Sequence, residues 1–208
     1  MNLHRTKKQP DWELIKPADR SSIQKVAAAT NGYLTPPNVI TIIGLGLVLY
    51  GIYALLNQDF LIAFTALLIG RALDILDGYV ADKTGTKSPL GELFDAAVDK
   101  IGTLLTIAAF FLAAVAPWWV VVLVLLPQVI IPLVIFYKRT KKIHVHPTRA
   151  GKLSMALTWV GLLELIAVRA LDFSWPHIIV ITVYAIVFAS TILGFYALWQ
   201  YSTGKDQD

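Results

Sequence analysis

Long apolar segments recur along this 208-residue chain and constrain its fold more than any other feature. A helix needs roughly 20 mostly apolar residues to cross the hydrocarbon core of a bilayer. Hydrophobic residues make up 56% of the sequence and charged residues only 15%, which is little charge for covering the surface of a soluble domain. We therefore expect an all-α integral membrane bundle of six transmembrane helices, at about residues 38–57, 59–82, 91–116, 117–137, 152–171 and 175–200.

The positions of Lys and Arg predict how this bundle is oriented. The N-terminal segment, the links after the second and fourth spans and the C-terminal tail hold nearly all basic residues outside the spans, whereas the opposite side has only Arg169. Basic residues favour the cytoplasmic side, so both termini are expected in the cytoplasm. The membrane itself is expected to be a prokaryotic-type cell membrane. The expected regions are an interfacial N-terminal segment (1–37), a six-helix transmembrane domain (38–200) and a cytoplasmic tail (201–208).

The N-terminal segment before the first span is amphipathic. Residues 10–29 are predicted to form one or two short interfacial helices. Trp12, Leu14 and Ile15 would then lie in the headgroup layer, with basic side chains near anionic lipid. A solvated polar tail is the alternative interpretation.

Small and polar residues in two of the spans predict packing rather than chemistry. Thr35 or Asn38 is expected to cap the first span. Gly44 and Gly46 within that span are expected to allow close approach of a neighbouring helix. The fourth span holds Pro127, Gln128 and Pro132, of which the prolines are expected to kink the helix, and all three are expected to serve packing or subunit contact.

Acidic residues cluster where the second span ends and the third begins. Asp74 and Asp77 are three residues apart, and Asp95 and Asp99 are four apart, so each pair shares a helix face. The short link 83–90 makes the two helices antiparallel and places the pairs at similar depth. Four carboxylates are therefore expected to converge in one pocket, where divalent cations such as Mg²⁺, Mn²⁺ or Ca²⁺ would neutralise them. A two-metal site of this kind suits displacement at phosphorus.

The residues around these carboxylates allow two interpretations. Gly78, Ala81 and Gly91 are small and would leave room for a bulky ligand between the helices. Alternatively, Arg71 and Lys100 could neutralise the acids in a structural ion network, although two bases balance four acids poorly.

The spacing of these residues resembles the signature of a known family. The run from Asp74 to Asp99 reads D-x2-D-G-x2-A-D-x8-G-x3-D-x3-D. It is similar to the signature of the CDP-alcohol phosphotransferases, D-x2-D-G-x2-A-R-x8-G-x3-D-x3-D. The departure is Asp82, where the family has an arginine that is expected to help hold the diphosphate. Three nearby basic residues are candidates to replace it: Arg71, Lys83 and Lys87.

This resemblance implies an activity and a set of site residues. The implied enzyme makes phospholipid by moving the phosphatidyl group from CDP-diacylglycerol to an alcohol, with release of CMP. It would be a homodimer with two Mg²⁺ or Mn²⁺ ions per subunit, in contact with membrane lipid and with no nucleic acid partner. The implied metal ligands are Asp74, Asp77, Asp95 and Asp99, of which Asp99 is also the implied catalytic base. The implied CDP-binding residues are Asp77, Gly78, Ala81, Asp82 and Gly91.

Two segments indicate which alcohol is the acceptor. "FDAAVDK" and, less closely, "RAGKLSMALTW" are similar to segments of phosphatidylglycerophosphate synthases, which implies glycerol 3-phosphate as acceptor. Arg139, Arg149 and Lys152 are candidates to bind its phosphate. Equally, they are explained as basic residues of a cytoplasmic loop, and inositol phosphate or another alcohol is an alternative acceptor. His144 and His146 are interpreted as loop residues rather than ligands.

Two other classes of protein also place acids in membrane helices. Aspartate-rich prenyltransferases bind a diphosphate through Mg²⁺, but they carry two acidic motifs further apart in the chain than the 26 residues seen here. A divalent-cation carrier would place its acids near the bilayer midplane, often within repeated spans. These acids lie at one edge, which favours the enzyme.

Overall fold

The computed structural model describes residues 9–141, 143, 148–171 and 177–203, and these residues are helical or irregular, with no β-strand among them. Two short 3₁₀ turns, Asp11–Leu14 and Pro17–Asp19, precede the first α-helix. The all-α fold class is confirmed for this part of the chain. The α-helices are α1 Ser22–Ala29, α2 Pro36–Leu56, α3 Phe60–Thr84, α4 Pro89–Leu112, α5 Trp118–Thr140, α6 Arg149–Ala170 and α7 His177–Thr203.

The six predicted spans correspond to α2 through α7, with ends that differ by a few residues. Among the described residues, four segments are long and apolar enough to cross a membrane, as expected of an integral membrane protein: Pro36–Leu56, Trp118–Lys138, Arg149–Ala170 and Ile181–Thr203. The helices α3 and α4 have 25 and 24 residues, which is sufficient length, but they carry the charged residues of the acidic motif. That the chain crosses the membrane six times therefore stays a prediction. Four of the six predicted spans meet the criteria of length and apolarity.

The chain divides into two compact units. The first comprises the described residues of Met1–Gly51 together with Thr65–Thr103, and it contains α1 and most of α2, α3 and α4. The second comprises Ile52–Phe64 and the described residues of Leu104–Asp208, and it contains α5, α6 and α7. All four aspartates of the motif belong to the first unit.

In the first unit, the segment before α1 packs against the protein. The prediction that Trp12 lies in the headgroup layer is wrong, because its side chain is only 3% exposed and lies so near Gly32 that a Cβ added there would be 2.9 Å from the indole ring. The backbone N–H of Asp11 donates to the carbonyl of Lys87, 3.0 Å away, which joins this segment to the link between α3 and α4. Leu14, in contrast, is 74% exposed, as an interfacial residue would be.

The short helix α1 is capped at its first turn and hydrogen-bonded to the end of α3. Ser21 and Gln24 form a reciprocal capping box at its first turn, which satisfies backbone N–H groups that the helix leaves free. The side-chain amide of Gln24 also donates to the carbonyl of Thr84 at 3.1 Å. The end of α3 is therefore held by the N-terminal segment.

The start and the middle of α2 follow the predictions in part. Thr35 caps the helix by accepting a hydrogen bond from the backbone N–H of Asn38, 3.4 Å away. At Gly44 the helix approaches α3 so closely that a Cβ on Gly70 would lie 3.1 Å from the Gly44 carbonyl. The same prediction for Gly46 is wrong, since a Cβ there would meet nothing within 4 Å.

In the second unit, α7 packs against both α5 and α6. Buried polar side chains link these helices: Gln128 donates to Thr158 at 3.2 Å, and the Thr158 and Ser190 hydroxyls are 2.8 Å apart. Pro127 is fully buried against Gly194. Hydrogen bonds and small residues are the usual means of joining helices in lipid, so the packing role predicted for Pro127 is consistent with its position.

Candidate metal centre

Three carboxylates converge where α3 and α4 face each other. One oxygen from each of Asp74, Asp77 and Asp95 lies within 4.8 Å of the other two. Asp74 and Asp77 are one turn apart on α3, and Asp95 comes from the second turn of α4. The predicted antiparallel arrangement therefore brings two acidic faces together.

The link between α3 and α4 makes this arrangement possible. Gly85 has φ +59°, a left-handed conformation that glycine adopts without strain. Ser88 then caps α4 by accepting from the backbone N–H of Gly91 at 3.0 Å, and Pro89 occupies the first helical position. Gly, Ser and Pro are residue types typical of turns, whereas the capping of α4 by Ser88 is seen only in the structure.

Asp77 is held in place from α2. Its side chain is buried, with 3% exposure, and its Oδ2 accepts a hydrogen bond from the Thr41 hydroxyl at 2.5 Å. A carboxylate fixed by such a bond loses little freedom when it ligates a cation. Thr41 is therefore a positioning residue for the candidate centre.

Asp95 provides the observation that tests whether a cation fits. Its Oδ1 is buried, and within the described chain it has no hydrogen-bond partner. A buried carboxylate oxygen left in this state is unfavourable unless something with positive charge satisfies it. The oxygen-only donor set of Asp74, Asp77 and Asp95 suits a hard divalent cation such as Mg²⁺ or Mn²⁺. The residues present thus fit the implied metal.

Asp99 lies outside the group of three. Its Oδ1 accepts from Nη1 of Arg71 at 2.6 Å, and the same Nη1 lies 2.6 Å from Oδ2 of Asp74. The expected convergence of four carboxylates is therefore seen for three, and the fourth pairs with an arginine on α3. The ion-network interpretation describes Asp74 and Asp99, but it does not account for the unsatisfied oxygen of Asp95.

A cavity of about 230 Å³ adjoins the three carboxylates, and both Asp77 and Asp95 line it. The small residues Gly78, Ala81 and Gly91 also line it, as expected of residues that leave room for a ligand between the helices. A Cβ on Gly78 would meet no atom within 4 Å, so this glycine leaves open space.

Asp82 behaves differently from the other residues of the motif. It is absent from the cavity lining in the described structure, its side chain is 63% exposed, and it forms an ion pair with Lys87 at 2.5 Å. Lys87 does line the cavity. Direct contact of Asp82 with CDP stays a prediction, without a place in the cavity wall to support it.

Sequence reasoning missed several polar residues of the cavity. Asn38 and Thr41 line it from the first turns of α2, and Ser88 lines it from the link. Asn38 had been interpreted only as a helix cap. The signal was available, since two polar residues three apart on an apolar helix share one face, but it did not show which helix that face meets.

The candidate acceptor residues belong to the second unit. Arg149 and Lys152 lie in the first turn of α6 and are exposed. The side chain of Arg139, like His144 and His146, falls outside what the structure describes. Binding of an acceptor phosphate by these three basic residues stays a prediction.

Comparisons with known proteins identify a family. The sequence model described as CDP-alcohol phosphatidyltransferase matches residues 34–199. An uncharacterised class-I protein of that family from Schizosaccharomyces pombe is 41% identical over 79 residues, which is 32% of this chain and 20% of the relative. The archaetidylinositol phosphate synthase of Pyrococcus horikoshii is 28% identical over 112 residues, or 54% of this chain and 60% of the relative.

A longer match involves a protein of Mycobacterium tuberculosis named "Putative cardiolipin synthase". It is 28% identical over 174 residues, which cover 82% of this chain and 81% of that protein. The chain thus spans most of this relative, but only a fifth of the Schizosaccharomyces pombe protein and three fifths of the Pyrococcus horikoshii one.

Proposed function

We propose that this chain, which belongs to the CDP-alcohol phosphatidyltransferase family because the family model matches residues 34–199, transfers the phosphatidyl group of CDP-diacylglycerol to an alcohol and releases CMP. The enzymes of this family act in phospholipid synthesis. The observation that carries the proposal is the group of three carboxylates beside a cavity lined by small residues.

A divalent cation would be held by Asp74, Asp77 and Asp95. When bound there, it would supply positive charge to the phosphate that is attacked and to the departing CMP. Two ions per subunit are proposed, as the family resemblance implies, with Asp99 contributing to the second. The unsatisfied Oδ1 of Asp95 supports at least one of them.

Asp99 is the proposed general base. In the transfer, the acceptor oxygen forms a bond to phosphorus, the bond from phosphorus to the CMP oxygen breaks, and the hydroxyl proton moves to the carboxylate of Asp99. Arg71 donates to this carboxylate and thus orients it. Gly78, Ala81 and Gly91 leave the space into which the nucleotide would fit.

Glycerol 3-phosphate is the proposed acceptor, with Arg139, Arg149 and Lys152 as candidates to bind its phosphate. Support comes from the resemblance of "FDAAVDK" to phosphatidylglycerophosphate synthases and from the exposed basic residues at the start of α6. Inositol phosphate is the second candidate, because one relative is an archaetidylinositol phosphate synthase.

In the proposed arrangement, the protein is a homodimer with both termini and the metal centre on the cytoplasmic side. Support for this orientation is the concentration of Lys and Arg in the N-terminal segment and in the links after the second and fourth predicted spans. A water-soluble acceptor and the released CMP would then exchange with the cytoplasm.

An acceptor panel tests the activity. Purified protein in detergent with Mg²⁺ and CDP-diacylglycerol is given glycerol 3-phosphate, inositol phosphate, inositol, serine or no acceptor, and both CMP and the lipid product are measured by mass spectrometry. We expect CMP release coupled to one phosphorylated acceptor. Absence of CMP release with every acceptor would contradict the proposal, and transport of Mg²⁺ into proteoliposomes would favour a carrier instead.

A further inference from the structure

We propose that Lys87 binds the diphosphate of the nucleotide donor. It would thereby replace the arginine that the family signature has at the position of Asp82. Asp82 would be the counter-ion that holds Lys87 until the donor binds. This inference rests on the proposed function. It concerns a residue that is not one of the signature residues and that lies in the link between α3 and α4.

The first support is position. Lys87 lines the cavity that adjoins Asp77 and Asp95, and its side chain is 42% exposed, so it lies at the rim rather than in the core. Its backbone is fixed, because the Lys87 carbonyl accepts from the N–H of Asp11 at 3.0 Å. The ammonium group is carried on a flexible four-carbon stem and can swing over a ligand while the backbone stays in place.

The second support is charge. Among the described residues that line the cavity, Lys87 is the only one with a positive charge, whereas Asp77, Glu92 and Asp95 are acidic. A diphosphate that enters this cavity is repelled by the carboxylates. A positive side chain, in addition to any metal ion held by the aspartates, lowers this repulsion. Hydrogen bonding to Asp82, and then the nearby acidic groups, raise the pKa of Lys87 above its ordinary value, so Lys87 is protonated at neutral pH.

The third support is that neither of the other two basic candidates, Arg71 and Lys83, lines the described cavity. Arg71 is engaged with Asp74 and Asp99. Lys83 lies over the ring of Tyr79, with Nζ 5.6 Å from the ring centroid, and the described cavity wall does not include it. Lys87 alone of the three combines a place in the cavity wall with an exposed carboxylate partner that an incoming phosphate could displace, since exposed ion pairs are weak.

Direct binding of CDP tests the proposal without turnover. Binding of CDP and of CMP to full-length protein in a zwitterionic detergent with Mg²⁺ is measured by isothermal titration calorimetry. We expect Lys87→Met to weaken CDP binding about tenfold, the loss of one charge-assisted contact, and to weaken CMP binding less. Lys87→Arg should keep most of the affinity, and Asp82→Asn should bind CDP at least as tightly as the wild type because a competing carboxylate has gone.

Lys83→Met is the matched control, since it removes the same charge four residues earlier, in the last turn of α3 and outside the described cavity wall. CDP affinity unchanged in Lys87→Met, or lowered equally in Lys83→Met, would overturn the role of Lys87. A raised KM for glycerol 3-phosphate with unchanged CDP affinity would also overturn it, because Lys87 would then bind the acceptor. Wild-type protein that binds no CDP with Mg²⁺ would instead overturn the proposed function itself.

Discussion

Arg71 on α3 and Asp99 on α4 form an ion pair in which Nη1 lies 2.6 Å from Oδ1. The same nitrogen contacts Asp74, so one arginine bridges an acid of the candidate metal centre and the proposed base. The four aspartates of the motif are thereby divided. Asp74, Asp77 and Asp95 form one close group, and Asp99 is held beside them by the guanidinium of Arg71. Distinct roles for Asp95 and Asp99 follow from this division.

Asp99→Asn should lower kcat by about 10²- to 10⁴-fold, because an amide cannot accept the hydroxyl proton. Binding of CDP should be largely kept, since the cavity residues and the carboxylates of Asp74, Asp77 and Asp95 are unchanged. Turnover is measured by CMP release and binding by calorimetry. Asp59→Asn, at an exposed residue just before α3, is the matched control and should retain activity. Wild-type turnover in Asp99→Asn would remove Asp99 as the base.

Thr41→Val should raise the Mg²⁺ concentration needed for half-maximal activity about tenfold. The substitution keeps the shape of the side chain but removes the hydroxyl that donates to Asp77, and partners of metal ligands commonly have effects of this size. Thr41→Ser retains the donor and should stay close to the wild type. The same Mg²⁺ dependence in all three proteins would show that Thr41 does not position Asp77.

Gly78→Ala should raise the KM for CDP-diacylglycerol without loss of stability, and Gly78→Leu should raise it further. A Cβ at this position meets no protein atom within 4 Å, so it would extend into space that we assign to the nucleotide. Gly46→Ala is the control, because its Cβ is equally free but lies away from the described cavity wall. An unchanged donor KM in Gly78→Leu would place the nucleotide elsewhere.

Gly194→Ala should destabilise the packing of α5 against α7 by about 1–3 kcal/mol, a common cost of overfilling a packed site. An added Cβ would lie 2.6 Å from Cβ of Pro127, which is fully buried and belongs to a rigid ring. Thermal unfolding in detergent measures the change, again beside Gly46→Ala. Equal stability of the two variants would mean that α7 shifts at little cost.

The acidic centre could be predicted from sequence because it depends on local geometry. Asp74 and Asp77 are three residues apart, and a short link with Gly85 and Pro89 returns the chain antiparallel. These features require no knowledge of distant packing. They predict the meeting of Asp74, Asp77 and Asp95 that the structure shows.

Other features depended on contacts that spacing does not reveal. The bond from Thr41 to Asp77 requires α2 to pack against α3 with that face inward. Asp99 is expected in the centre from its spacing, but its carboxylate pairs with Arg71. Spacing does not show whether a carboxylate lies with the other acids or with a nearby basic residue. Trp12 was expected in lipid headgroups because aromatic residues favour that layer, yet the chain itself offers a site that buries it.

The most direct test of the central claim is Mg²⁺-dependent CMP release from CDP-diacylglycerol by metal-stripped protein. With glycerol 3-phosphate or inositol phosphate present, we predict no release without a divalent ion, release that saturates as Mg²⁺ or Mn²⁺ is added, and none for Asp95→Asn at the same concentrations. Release by the stripped wild-type protein in excess chelator, or full release by Asp95→Asn, would contradict a metal-dependent transferase built on these aspartates.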